Sequence, residues 1–231
     1  MDAPTRALLA RLIAFCLPGG DAAAQGVSAV STKERGEMRS SPEARWIPFT
    51  AHQVIDSRRS SFSWEARMSG GGMKWFTITD AYSEGHGHLL VKLGGMVPVK
   101  QESGIELDQG ELQRYLASSA MCPAMLVKHP SLEWSAAGPL TLRVGDRDDP
   151  TGATVDLDLG DDGRPLVCRA VRPRLAGKAN VMTPWSGRYL DFQEREGQRI
   201  ASELEVTWQY PEGPFTYYRG KVVSCEILHD A

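Results

Sequence analysis

Asp80, Arg114 and Tyr115 are the side chains in this sequence best suited to acid–base or electrostatic chemistry. Asp80 lies in a segment, 75–82, whose alternation puts Phe76, Ile78, Asp80 and Tyr82 on one face and Trp75, Thr77, Thr79 and Ala81 on the other. If the first face is buried, desolvation penalises the carboxylate charge, raises its pKa and makes Asp80 a usable acid or base. If the other face is buried, Asp80 is solvated and has no such role. Arg114 offers a planar fork of N–H donors that fits a ligand carboxylate or phosphate bidentately. An exposed ion pair with Glu111 or with a strand carboxylate is the commoner use of such an arginine. Together these three residues form the candidate catalytic set of an isomerase, cyclase or hydrolase acting on an apolar small molecule.

A second group is aromatic: Phe49, Phe62, Trp64, Tyr82, Trp134, Trp185, Trp208 and Tyr218. Large rings with polar handles suit a hydrophobic ligand, and equally suit a plain core. Gln53, on one face of its strand with Phe49, offers a hydrogen bond to a ligand or to the protein itself. His86 and His88 would point the same way, but no third ligand is marked, and a solvated pair is the favoured reading. The loop acids Asp146, Asp148, Asp149, Asp161 and Asp162 lack EF-hand spacing. The glycines at 70–72 lack the lysine and helix of a phosphate loop, and there is no G-x-S-x-G elbow. No metal and no cofactor is called for.

The elements that must position these residues are mostly strands. Phe62, Trp64, Ala66 and Met68 alternate with Ser61, Ser63, Glu65 and Arg67, which marks a half-buried strand. The glycines at 70–72 turn it into the segment 75–82, a hairpin, and turns at 85–87 and 94–95 follow. Residues 27–39 are polar with intermittent apolar positions and read as an edge strand. Residues 45–55 form another strand, in which Pro48 argues for an edge or a bulge. Strands are also expected at 89–93, 96–101, 132–135, 140–144, 153–159, 166–172, 187–192, 203–210 and 215–228. Their tight turns imply an antiparallel meander, because parallel crossovers would need helices the sequence does not supply.

One helix interrupts them, at 108–126. Asp108 can cap it, Glu111 can complete a capping box, Leu112 and Leu116 give it an apolar face, and Pro123 stops or kinks it. A second helix, near residues 7–17, carries Leu8, Leu12 and Phe15 on one side. The expected architecture is mainly β: one domain over 1–231, a large curled antiparallel sheet or half-barrel. The central helix covers its concave face and the N-terminal helix, with its linker to about residue 25, docks on it.

The chain has 231 residues, 26 basic and 29 acidic, for a formal charge of -3, and no long basic run, which argues against nucleic acid as a partner. Cys16, Cys122, Cys168 and Cys225 lie far apart with no CxxC pair and read as buried free thiols. Arg11 interrupts the first apolar run and Asp2 weakens its positive start, so a docked helix is favoured over an export signal. No apolar stretch is long enough to span a bilayer. A cytoplasmic protein is expected, with periplasmic export the alternative.

Several motifs occur as a set: W-x-P-F-x-A-x-Q at 46–53, F-x-W-x-A at 62–66, D-x-Y-x-x-G-x-G at 80–87 and G-E-L-x-R-x-L-A at 110–117, with Pro123, Trp134, Trp185 and Trp208. Over nearly its whole length the chain thereby resembles DUF6544, a bacterial domain family of unknown function. The resemblance implies the antiparallel half-barrel of bacterial lipoprotein carriers, a fold that binds acyl chains on a concave apolar face. A hydrophobic or amphipathic small molecule, lipid- or acyl-like, is the partner it implies.

Overall fold

The computed structural model describes residues 1–69, 75–177 and 179–230. Thirteen strands form one sheet: β1 (Val27–Met38), β2 (Ile47–Asp56), β3 (Phe62–Ser69), β4 (Trp75–Ser83), β5 (His86–Leu93), β6 (Val97–Glu102), β7 (Leu132–Gly138), β8 (Thr141–Asp146), β9 (Thr154–Leu159), β10 (Pro165–Ala176), β11 (Ala179–Arg195), β12 (Gln198–Tyr210) and β13 (Gly213–His229). Their order is β6-β5-β4-β3-β2-β1-β13-β12-β11-β10-β9-β8-β7. Every pairing is antiparallel, so the expected meander is observed. Two runs of hairpins meet at β1 and β13, where Val27 pairs with His229.

The helices are α1 (Ala3–Cys16), α2 (Ile105–Ala117) and α3 (Met125–Lys128), with one-turn 3-10 helices at Asp21–Ala24 and Ser118–Ala120. The chain leaves one sheet edge at β6 and regains the other at β7, and the helical stretch between them crosses the inside. There α2 packs against β4 and β5 and also against β9 and β10. In a flat sheet β5 and β9 would stand nine strand spacings apart, roughly 43 Å, and a helix is only about 10 Å across. The sheet therefore curls around α2 as an open half-barrel, and the helix lies on its concave side as expected.

α1 is pinned at its start by Asp2, whose side chain accepts from the Thr5 amide at 2.9 Å. Leu8, Leu9, Leu12 and Cys16 are buried, and the helix lies along β7, β8 and β12. Phe15 meets Phe192 edge-on, with centroids 5.2 Å apart. Among the described residues no helix is long and apolar enough to cross a membrane. Cys16, Cys122 and Cys168 are buried and Cys225 is half-buried, all as free thiols. Burial pushes Cys16 and Cys122 up to about 12 and Cys168 and Cys225 up to about 11.

Four expectations are corrected. First, β1 is a central strand paired on both sides, not an edge; its polar residues Thr32 and Glu34 are buried and satisfied by other side chains, while Lys33 and Arg35 stay exposed. Second, β2 is also internal. It tolerates Pro48 because pairing with β3 begins only at Phe49, so the missing N–H breaks no bond on that side. Third, the central helix starts at Ile105, three residues early, because Gly104 takes φ 119, a value open to glycine, and delivers the chain from β6 into the helix. Asp108 then lies inside the helix and accepts from the Gly87 amide at 2.7 Å instead of capping it, and Glu111 is buried rather than completing a capping box. Past Ala117 the helix passes into the 3-10 turn Ser118–Ala120 and resumes only at α3, beyond Pro123. Fourth, β10 and β11 run well beyond 166–172 and 187–192, since their prolines and small polar residues masked the alternation. The glycine turn expected at 70–72 lies outside the described residues. β11 and β12 are joined by the two-residue pair Glu196–Gly197, with φ 49 and 73, the conformation of a tight hairpin turn.

Candidate ligand cavity

Strand alternation and register together build one wall. On β3 the inward residues are Phe62, Trp64 and Ala66, at 3%, 2% and 3% exposure. Register then sets Trp64 between Gln53 on β2 and Asp80 on β4, so the three lie in one row across the concave face. Behind this row β1 contributes Glu34, a carboxylate with 3% exposure. Its Oε2 accepts from Trp64 Nε1 at 3.2 Å and from the Tyr218 hydroxyl at 2.9 Å, and its Oε1 accepts from Thr32 Oγ1 at 2.9 Å. These donors replace water around a charge that burial would otherwise make costly.

α2 brings Arg114 down onto this row. Its guanidinium pairs with Asp80 and lies over the rings of Trp64 and Phe62, 5.0 and 4.9 Å from their centroids. Burial lowers the pKa of Arg114, while Tyr218, Tyr217 and Glu34 act in the opposite sense. Asp80 is thus on the inner face, as one of the two readings had it, but as the counter-ion of an arginine rather than a lone acid in apolar surroundings.

Across the cavity a second arginine, Arg172 on β10, repeats the device. It lies over Trp185 and Trp208 at 4.8 and 6.0 Å. It donates to the Gly110 carbonyl at 2.6 Å and stands 3.5 Å from Glu111 Oε1. Burial raises Glu111 to about 7, against the pull of Arg172. A β-bulge completes this wall: Val206 pairs with Tyr218 and Thr207 with Thr216, so Tyr217 is the extra residue, and consecutive tyrosines both reach the concave side. Gly220 makes the room, since a Cβ there would stand 2.2 Å from the Tyr218 hydroxyl. Trp185 Nε1 donates to the Tyr217 oxygen at 3.2 Å, and the Trp208 and Tyr217 rings stack at 6.2 Å.

Between the walls is a cavity of about 510 Å³. Its lining includes Gln53, Trp64, Ile78, Leu89 and Val91 on one side, Arg114 and Met121 on the helical segment, and Trp185, Tyr189, Leu204, Val206, Trp208 and Tyr218 on the other.

Of the residues expected at a site, Gln53, Trp64, Asp80, Arg114, Trp185, Trp208 and Tyr218 therefore come together. Phe49 is a second layer, 5.7 Å from Trp64 and stacked on Tyr218 at 5.3 Å. Phe62 lies beneath Arg114. Tyr82 is buried away from the cavity, where burial and Asp149, Asp146 and Asp108 raise it to about 12. Trp134 is half-buried on the edge strand β7, against the core. Tyr115 does not join Arg114: one helical step turns it about 100°, and its hydroxyl donates to the Asp56 carbonyl at 2.9 Å. Glu34, Glu111, Arg172 and Tyr217 were not foreseen as site residues; the sequence signals were the place of Glu111 in the G-E-L-x-R-x-L-A motif, where its spacing from Asp108 suggests a cap, and the Tyr217–Tyr218 doublet inside a strand. His86 stands exposed, 3.6 Å from Asp108. Among the described residues no cluster of three or more His, Cys, Asp or Glu is placed to hold a metal ion.

Residues 7–226 match the model of DUF6920, a family of unknown function. The chain belongs to that family. DUF6920 replaces DUF6544, to which its motifs had pointed, because this model spans nearly the whole chain. No curated protein sequence matches this DUF6920 chain. Among solved structures it is similar to a LolA superfamily protein from Nitrosomonas europaea, with a TM-score of 0.51 and 8% identity, over 100% of this chain and 96% of the other. It is also similar to a DUF1329 family protein from Desulfovibrio piger, with a TM-score of 0.53 and 8% identity, over 98% and 94%. At such identities the likeness is one of fold, the curled antiparallel half-barrel.

Proposed function

We propose that this DUF6920 protein binds a hydrophobic or amphipathic small molecule, lipid- or acyl-like, between α2 and the concave face of its sheet. The observation that carries the reading is the cavity itself. Its volume of about 510 Å³ falls within the roughly 300–1,000 Å³ of small-molecule sites, and its lining is mostly indole, phenol and aliphatic, with seven charged side chains among them. The fold shared with a LolA superfamily protein supports the same reading by analogy. Native mass spectrometry of protein purified from its host, joined to titration with an apolar fluorescent dye, tests it. A co-purifying lipid mass, or saturable dye binding lost on Trp64→Ala, is expected; an empty protein that also ignores the dye refutes it.

An enzyme using Asp80, Arg114 and Tyr115 is less well supported. Asp80 is engaged by Arg114, and Tyr115 spends its hydroxyl on Asp56 outside the cavity.

A further inference from the structure

The donors and acceptors around the cavity are unequally spent. The carboxylates near the two arginines are used or sealed: Glu34, behind the wall, receives three donors, Asp80 is paired with Arg114, and the remaining oxygens of Asp80 and Glu111, Oδ1 and Oε2, are buried beyond reach of solvent. Of the other lining acceptors, Glu102 is paired with Lys100, and Gln53 carries as many donors as acceptors on its amide. Donors are left over. Among the described residues only Asp80 accepts from the Arg114 side chain, through Nη1, and Nε and Nη2 are not among the sealed atoms. The Tyr217 oxygen receives Trp185 Nε1, while no described residue accepts the Tyr217 O–H. Arg172 Nε, like Asp80 Oδ1 and Glu111 Oε2, is buried without a partner and is not counted among the free donors.

From this imbalance we propose that the ligand is an amphiphile whose polar end is an oxyanion, a carboxylate or a phosphate monoester, seated between Arg114 on α2 and Tyr217 on β13. The inference rests on the cavity being a binding site and names the chemistry of its ligand. Arg114 presents a two-donor edge of the kind that meets an oxyanion bidentately, and Tyr217 adds a third donor from the facing wall. Both arginines are held before any ligand arrives, with guanidiniums laid on Trp64 and Trp185, so little side-chain freedom is lost on binding. Both also lie near Tyr217, where their charges favour its ionised form against the burial that raises its pKa. Ile78, Leu89, Val91 and Leu204 leave the rest of the cavity for a hydrocarbon chain.

The test is calorimetric titration of the full chain with three probes of equal chain length, each below its aggregation concentration: dodecanoate, dodecyl phosphate and 1-dodecanol. Acetate and inorganic phosphate serve as chainless controls. One or both anions are expected to bind at least about tenfold more tightly than the alcohol, as charge-assisted hydrogen bonds allow, and the chainless anions far more weakly. Which anion leads separates a fatty acid from a phosphate-bearing lipid. Tyr217→Phe should narrow the anion-over-alcohol ratio several-fold. Equal affinity for dodecanol and both anions overturns the oxyanion proposal and leaves the hydrophobic cavity standing. Inorganic phosphate or acetate binding as tightly as its long-chain counterpart overturns the amphiphile. Failure of all three long-chain probes removes the binding reading and this proposal with it.

Discussion

Glu111 makes the stability of this protein depend on pH in a direction opposite to ordinary acid unfolding. It is buried on α2, beside Arg172, and its pKa is raised to about 7 from 4.5. The folded state therefore holds the Glu111 proton more tightly than the unfolded chain does. Stability from this group is fully present below pH 4.5, falls across the interval up to 7 and is gone above it. A rise of this size corresponds to about 3 kcal/mol, at about 1.4 kcal/mol per pKa unit, and most of it should be lost between about pH 5 and about pH 8. Glu111→Gln stays neutral throughout and should lack this loss. Urea unfolding of both proteins across that range is the assay: the variant should gain on the wild type as pH rises, by about 2–3 kcal/mol in all. Parallel profiles would refute the reasoning, because they would mean that Glu111 ionises equally easily in the folded and unfolded chains.

Two further substitutions test the packing of the cavity. Tyr189→Phe removes a buried hydroxyl that donates to the Ala117 carbonyl at the end of α2; a loss of about 1–3 kcal/mol is expected in urea unfolding, the cost of leaving a buried acceptor unpaired. Asp80→Asn leaves the Arg114 guanidinium partly buried without its counter-ion. It should cost roughly 1–3 kcal/mol, below the full penalty for a deeply buried pair because both side chains keep some solvent contact, and a thermal melt indistinguishable from wild type would contradict the ion pair.

Much of the half-barrel was legible along the chain. The alternation at Phe62, Trp64 and Ala66 marked the buried face of β3 correctly, since a period of two follows from strand geometry alone. The glycine-rich turns marked an antiparallel meander, and Leu112 and Leu116 marked the apolar side of α2. Period two says which residues share a face, but not which face is concave, so Asp80 stayed ambiguous until the curl of the sheet turned it inward beneath Arg114. Strand order is non-local: the partner of β1 is β13, nearly the whole chain away, and nothing near Glu34 announced that its polar strand would be central. A bulge shifts the period, which is how Tyr217 escaped notice beside Tyr218. The cap expected at Asp108 gave way to Gly104 because tertiary contact with Gly87 offered its carboxylate another donor. Local pattern thus determined the elements and their apolar faces. Closure of the sheet around α2 decided the site, because only there do Arg114, Arg172 and Tyr217, far apart in sequence, line one cavity from opposite walls, with Glu34 behind one of them.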